Sequence, residues 1–108
     1  MADKIATREA YGKALAEFSS NYDIVVMDAD LAAATKTGIF KKACPERFID
    51  CGIAEQNMID VAAGLSLTGN IAYTGSFAVF GTGRAYDQIR NTVCYSNLNV
   101  KVAPTHAG

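Results

Sequence analysis

The feature of the sequence that most constrains the fold is a continuous apolar run, residues 24–27 (IVVM), that is followed at once by the acids Asp28 and Asp30. A strand with one exposed face alternates apolar and polar residues, whereas an unbroken apolar run is typical of a strand covered on both faces. Strands of that kind belong to parallel sheets that carry helices on either side. The run therefore predicts an α/β protein with polar groups at the carboxyl end of this strand.

Helical and extended segments alternate on both sides of this run. Thr7 is a suitable N-cap for a first helix, whose apolar residues recur at three- and four-residue steps. We expect that stripe to be buried: Tyr11, Ala14, Leu15, Phe18 and Tyr22. Residues 32–47 are less regular, because Gly38 and Pro45 interrupt any long helix.

The second half of the chain continues the alternation. It contains, in order, a strand at residues 48–51, a helix from about 54 to 68, a strand within 71–77, a helix within 81–98 and a last strand within 99–108. The helix within 81–98 should bury Tyr86, Ile89 and Val93. This order favours right-handed crossovers and a mostly parallel sheet between helices, which is a three-layer α/β/α fold.

Composition and charge narrow the class of protein. A chain of 108 residues, half of them hydrophobic, is long enough for one compact domain and too short for two. Ten basic and eleven acidic residues give a net charge of −1, which predicts no nucleic-acid partner and no membrane binding. No run approaches the ~20 apolar residues of a spanning helix, and the N-terminus lacks a signal-peptide core, so we expect a cytoplasmic protein. The cysteines Cys44, Cys51 and Cys94 have no paired spacing and are expected to be reduced core residues.

Several polar residues follow the predicted strands and should gather at one edge of the sheet, where open parallel sheets bind ligands. They are Asp28, Asp30, Glu55, Ser76, Thr105 and His106. Each has an ordinary structural explanation when taken alone. Glu55 could only complement the dipole of its helix, the aspartates could cap turns, and a lone histidine is more often structural than catalytic. Phe77 and Phe80 could be core residues, and GTGR at residues 81–84 lacks the full glycine spacing of a phosphate loop.

Four blocks of the sequence together resemble the pyrimidine-binding domain of transketolase, a thiamine diphosphate-dependent enzyme. The blocks are DADL, FIDCGIAEQNMIDVAAGLSLTG, YTGSFAVFGTGRAYDQIRNTVCYSNLNVKV and APTHAG, and the resemblance runs from Thr7 to the last residue. The stretch GIAEQ, followed by a helix of small residues, is the most specific part. It is shared with deoxyxylulose phosphate synthase, and a similar Glu-Gln occurs in the β subunit of the pyruvate dehydrogenase decarboxylating component. Both therefore remain alternatives.

The resemblance implies roles for five residues. Glu55 matches the glutamate that hydrogen-bonds N1′ of the cofactor's aminopyrimidine and favours its 4′-imino form, whose nitrogen can take the thiazolium C2 proton. Phe77 and Phe80 match aromatic residues that flank the aminopyrimidine. Asp30 matches an aspartate near the thiazolium end of the cofactor, and His106 matches a histidine that helps hold the sugar phosphate.

The resemblance also implies that this chain forms only half of an active site. In the family a separate domain holds Mg²⁺ and the diphosphate through a Gly-Asp-Gly motif and a downstream asparagine, and this chain has no such motif. The expected partner is a diphosphate-binding subunit, the N-terminal section, in a homodimer or heterotetramer that transfers two-carbon ketol units between sugar phosphates in the pentose phosphate pathway. Because the family domain continues beyond THAG, we expect a partial domain, residues 1–108, that is inactive alone. Gly83 replaces a further aromatic residue of many transketolases, which leaves the pocket wall thinner.

A non-catalytic α/β interaction module is the second class of function. A pocket in which Glu55, Phe77 and Phe80 converge at the strand ends would favour the enzyme part. A solvent-exposed Glu55 that only caps its helix would favour the module. A Glu55 side chain far from any aromatic-lined hollow, or already bound to an arginine, would rule out the thiamine diphosphate role and leave only a small parallel-sheet domain.

Overall fold

The computed structural model describes residues 3–108. The strands are β1 (Ile24–Asp28), β2 (Phe48–Asp50), β3 (Ile71–Gly75) and β4 (Val100–Val102). The helices are α1 (Thr7–Phe18), α2 (Ala32–Thr35), α3 (Gly38–Ala43), α4 (Glu55–Ser66) and α5 (Ala78–Gly83), with a 3₁₀ turn at Pro45–Arg47 and a π-helix at Gln88–Tyr95. Helices and strands alternate as the hydrophobic pattern predicts, with differences at their ends.

The four strands form one sheet in the order β2-β1-β3-β4, and every pair in it is parallel. β1 pairs with β3 over its full length, from Ile24 opposite Ile71 to Asp28 opposite Gly75. All five residues of β1 are buried, as expected for a central strand between two helical layers. The prediction of an α/β fold with a parallel sheet is confirmed. Because the strands run the same way, their carboxyl ends meet at one edge, called the carboxyl edge below.

Two apolar layers cover the faces of the sheet. On one face Leu15 of α1 and Phe40 of α3 pack on the side chains of Ile24 and Val26. On the other face the helix α4 packs on the sheet through one group of buried residues, and on the π-helix through a second. The first group is Val25, Met27, Ala29, Met58, Ala62 and Ala72; the second is Ile59, Ala63, Ala85 and Val93. Alternate residues of β1 thus enter opposite cores, which explains its unbroken apolar run.

The first helix differs from its prediction at both ends. Ala6, not Thr7, is the N-cap, and no side chain caps the helix. The stripe is buried at Leu15 but not at Phe18 or Tyr22, which are 45% and 57% exposed. Their rings pack edge-to-face on each other, with centroids 6.2 Å apart, and α1 ends at Phe18.

The segment 81–98 is not one continuous α-helix. The helix α5 begins earlier, at Ala78, and ends at Gly83, and the following helical stretch widens into the π-helix. Tyr86 lies between the two and is 68% exposed, so its predicted burial is wrong, whereas Val93 is buried as expected. Of the cysteines only Cys44 is buried; Cys51 is half-buried and Cys94 is exposed, and all three are free thiols. Within residues 3–108, no helix combines the length and the apolar character needed to cross a membrane.

Candidate functional site

The carboxyl edge brings the loop after β3 against the segment after β4. Phe77 forms a parallel bridge with Thr105, in which the Ala78 N–H donates to the Thr105 carbonyl (2.7 Å) and the Thr105 N–H donates to the Ser76 carbonyl (2.9 Å). This bridge extends the β3–β4 pairing past the last residues of the strands. It places His106, in a left-handed backbone conformation (φ 57°), beside the loop that carries the two phenylalanines.

Glu55 is the first residue of α4, and its side chain is only 4% exposed. The turn from β2 into α4 is made by Gly52, whose positive φ of 71° suits glycine, and by a hydrogen bond from the Ala54 N–H to the Gly52 carbonyl (2.8 Å). The carboxylate lines a pocket of about 400 Å³ together with Arg84 and residues 53–57. Glu55 therefore does not point into solvent as a simple helix-capping acid would.

Arg84 connects Glu55 to the aromatic residues. Its Nη1 donates to Glu55 Oε1 at 3.2 Å, and its guanidinium carbon lies 4.0 Å from the centroid of the Phe80 ring. Phe80 in turn stacks on Phe77, with centroids 5.9 Å apart and planes 24° from parallel, and His106 lies 4.2 Å from Phe77. The side chains of Arg84, Phe80, Phe77 and His106 thus form a continuous row of contacts, called the stacked row below, that begins at the buried carboxylate and ends with a His106 ring tilted by 42° to Phe77.

The arginine contact is the arrangement that the sequence analysis sets against a role for Glu55 with thiamine diphosphate. Glu55 and Arg84 are 29 positions apart, so no local pattern reveals their pairing. One local signal does exist: Arg84 follows Phe80 by four residues, a spacing at which helical side chains meet. Arg84 links Glu55 to Phe80, but the residues that line the 400 Å³ pocket do not include Phe77 or Phe80, so this pocket does not bring the three expected residues together.

Asp28 and Asp30 are close in sequence but have different surroundings. Asp28 is fully buried, and its carboxylate accepts hydrogen bonds from the Leu31 N–H (2.7 Å) and the hydroxyls of Thr35 (2.7 Å) and Thr37 (2.8 Å). Burial raises the pKa of Asp28, and the hydrogen bonds from the two threonines act in the opposite direction. Asp28 thus fixes the turn after β1, as the capping interpretation predicts.

Asp30 is exposed, with a positive φ of 64°. Its backbone N–H donates to Asp50 Oδ1 (3.1 Å), and the same oxygen accepts the Gly52 N–H (2.8 Å). Asp50, which sequence reasoning did not select, therefore ties the loop that carries Asp30 to the turn that leads into Glu55. Among residues 3–108, no hydrogen bond or ion pair joins the Asp30 carboxylate to Glu55 or to the stacked row.

The described residues contain no group of three or more His, Cys, Asp or Glu side chains that could hold a metal ion. At the carboxyl edge, the buried acid Glu55 adjoins a row of planar side chains, while the other buried acid, Asp28, is bound within the turn after β1. Fold and edge together define a parallel-sheet α/β domain with a site suited to a planar organic group.

The family of this domain follows from its sequence. The family model described as "Transketolase, pyrimidine binding domain" matches residues 3–108, so the chain belongs to that family. Membership of the transketolase family implies dependence on thiamine diphosphate.

Named relatives agree with this assignment. A candidate transketolase C-terminal section from Methanocaldococcus jannaschii is 52% identical over 102 residues, which are 94% of this chain and 32% of that protein. Human transketolase is 44% identical over 108 residues, covering 98% of this chain and 17% of the human protein. A solved structure, "Split gene transketolase, inactive beta4 tetramer", is 59% identical with a TM-score of 0.81, covering 90% of this chain and 32% of that one. The chain thus spans a third or less of the length of these proteins.

Proposed function

We propose that this chain supplies the aminopyrimidine-binding half of a transketolase-type active site. The observation that carries the proposal is the position of the Glu55 carboxylate, 4% exposed, within reach of the same planar group that covers Phe80. A guanidinium is flat, bears N–H donors and stacks on an aromatic face. An aminopyrimidine is also flat and stacks on aromatic faces, and its ring nitrogen bears an N–H once it is protonated, so the residues here fit that group, with Glu55 as acceptor and Phe80 as stacking surface.

Each residue of the site has a role in this proposal. Glu55 shares a proton with the ring nitrogen of the aminopyrimidine, which a carboxylate does well only where water is excluded. Phe80 holds the ring by stacking, worth about 0.5–1.5 kcal/mol beyond its burial, and Phe77 supports Phe80 from the next position in the row. Asp30 stands near the thiazolium end, and His106 contributes a donor to the sugar phosphate. When bound, thiamine diphosphate supplies the nucleophilic carbon that ketol transfer requires.

The rest of the active site is assigned to a partner chain. The proposed partner is an N-terminal transketolase section that holds Mg²⁺ and the diphosphate, since the described residues of this chain offer no cluster of metal-ligating side chains. The solved relative is named as an inactive β4 tetramer of a split-gene transketolase. By analogy we propose that this chain alone self-associates without activity, and that it becomes a transferase for sugar phosphates when the partner joins it.

Glu55→Gln tests the proposal because it keeps the size of the side chain and removes its charge. Wild-type and variant chains are mixed with a diphosphate-binding transketolase section, Mg²⁺ and thiamine diphosphate, and ketol transfer from xylulose 5-phosphate is measured. We expect turnover to fall by about 10²–10⁴-fold, the usual cost of losing a positioned acid–base group. Wild-type turnover by Glu55→Gln would refute the role.

A matched control separates this effect from a general disturbance of α4. Asp60→Asn removes a carboxylate from an exposed position of the same helix and should leave turnover unchanged. If the assembled wild-type proteins bind cofactor but transfer no ketol unit, the site belongs to another thiamine diphosphate enzyme, such as a deoxyxylulose phosphate synthase.

A further inference from the structure

The Arg84 guanidinium occupies the two contacts that the proposed function assigns to the aminopyrimidine. It donates to Glu55 Oε1 at 3.2 Å and covers the Phe80 ring at 4.0 Å. Carbon atoms in van der Waals contact lie about 3.5–4.0 Å apart, so no second ring fits between Phe80 and the guanidinium. Arg84 and an aminopyrimidine therefore exclude each other from this position.

The two members of the ion pair differ in their freedom to move. The Glu55 side chain is 4% exposed and begins a helix whose next turn contains the fully buried Met58 and Ile59. The Arg84 side chain is 50% exposed and follows the last residue of a six-residue helix. Beside it, an added Cβ at Gly83 would stand in open space, so solvent lies next to this turn. Opening of the pair should therefore be a rotation of Arg84 into solvent.

The ion pair also explains how the buried acid is satisfied without a ligand. Removing the partner of a buried carboxylate is strongly unfavourable, whereas an exposed guanidinium loses little when it returns to water. Arg84 can therefore leave when another N–H donor takes its place at Glu55. Glu55 thus exchanges one hydrogen-bond donor for another. The face of Phe80 is covered by the guanidinium before the exchange and by the incoming ring after it.

We propose that Arg84 is a competing internal ligand, which holds Glu55 and covers Phe80 in the free chain and swings out before an aminopyrimidine binds. The inference rests on the proposed function, because it takes the Glu55–Phe80 position as the aminopyrimidine site. In this proposal the Arg84–Glu55 contact belongs to the free protein and does not exclude a role of Glu55 in binding the aminopyrimidine. The measurable consequence is that the apparent affinity equals the intrinsic affinity multiplied by the fraction of chains in which Arg84 has left Glu55.

The test titrates 4-amino-5-hydroxymethyl-2-methylpyrimidine into the ¹⁵N-labelled chain and follows binding by NMR. Arg84→Ala should bind this probe about tenfold more tightly than wild type, which corresponds to an open state populated at ~10%. Arg84→Lys keeps the charge without the planar group and should fall between the two. Arg90→Ala is the matched control, because Arg90 pairs with Asp87 (2.8 Å) away from Glu55, and it should bind as wild type does.

Two further measurements test the same proposal. In the unmutated chain, the chemical shift of the Arg84 side-chain Nε–H should move towards the value of a solvent-exposed arginine as the probe saturates the site. This measurement does not depend on whether the variants fold. Glu55→Gln should abolish binding both alone and combined with Arg84→Ala.

The failures of the two ideas are distinguishable. Equal affinity of wild type and Arg84→Ala, or weaker binding by Arg84→Ala, overturns the competition while the loss in Glu55→Gln upholds the proposed function. Affinity that is indifferent to Glu55→Gln, or no binding by any variant, overturns the proposed function and the inference with it.

Discussion

Thr35→Val is expected to destabilise the protein because it removes one of three hydrogen-bond donors from a fully buried carboxylate. Thr35 Oγ1 donates to Asp28 Oδ2 at 2.7 Å, beside Thr37 Oγ1 at 2.8 Å, while Oδ1 accepts the Leu31 N–H at 2.7 Å. Valine has nearly the shape of threonine, so no cavity forms. A hydrogen bond to a charged group contributes about 1.5–3 kcal/mol, and the free energy of unfolding should fall by that amount. For a domain of this size the melting temperature should fall by roughly 6–20 °C.

The loss of stability caused by Thr35→Val should depend on pH, because Asp28 titrates. Burial raises the pKa of Asp28 above its ordinary value of 3.8, and the hydrogen bonds from Thr35 and Thr37 lower it. At pH values between the ordinary pKa of Asp28 in the unfolded chain and its raised pKa in the folded chain, the folded chain keeps a proton that the unfolded chain has released. The free energy of unfolding therefore falls as pH rises through this interval and is level above it. Thr35→Val raises the folded pKa further. The destabilisation should therefore be largest above the interval and should shrink when Asp28 is protonated.

Urea unfolding followed by circular dichroism, at about pH 7.5 and about pH 4, measures both effects. Thr82→Val is the control, because the Thr82 hydroxyl is exposed and donates to the Ala78 carbonyl within its own helix (2.6 Å). That control should change stability by no more than about 0.5 kcal/mol. A Thr35→Val loss below about 0.5 kcal/mol at neutral pH, or an equal loss at both pH values, would refute the reasoning.

Three other predictions concern packing and exposure. Gly64→Ala should raise the free energy of unfolding by about 0.5–1 kcal/mol, because Gly64 lies inside α4 with nothing within 4 Å of an added Cβ. Gly12→Ala should lower it despite the same gain in helix propensity, because its Cβ would meet the backbone carbonyl of Lys36; urea unfolding that gives both variants the same sign would contradict this. Iodoacetamide should alkylate the exposed Cys94 first and Cys44 last, because Cys44 is buried and a hydrogen bond to a neighbouring carboxylate raises its pKa. Mass mapping that finds Cys44 modified as fast as Cys94 would show that this packing opens readily.

Much of the fold could be predicted because its causes are local in sequence. The unbroken run of residues 24–27 corresponds to a strand buried on both faces, and the alternation of elements corresponds to an all-parallel sheet. Parallel strands also place Glu55, Phe77 and His106 at one edge regardless of sequence details. The element ends were less predictable, since Phe18 and Tyr22 continue the apolar stripe in sequence although α1 ends at Phe18 and both side chains are exposed.

The class of fold, the family and the edge that carries the candidate site can be read from the sequence, because hydrophobic period and motif spacing are properties of neighbouring residues. The contacts between side chains at that edge appear only in the folded chain. Arg84 reaches Glu55 across 29 positions, and Asp50 bridges two loops that follow different strands. Such contacts depend on how α5 and α4 are set against the sheet, and no periodicity along one chain segment records the distance between two others.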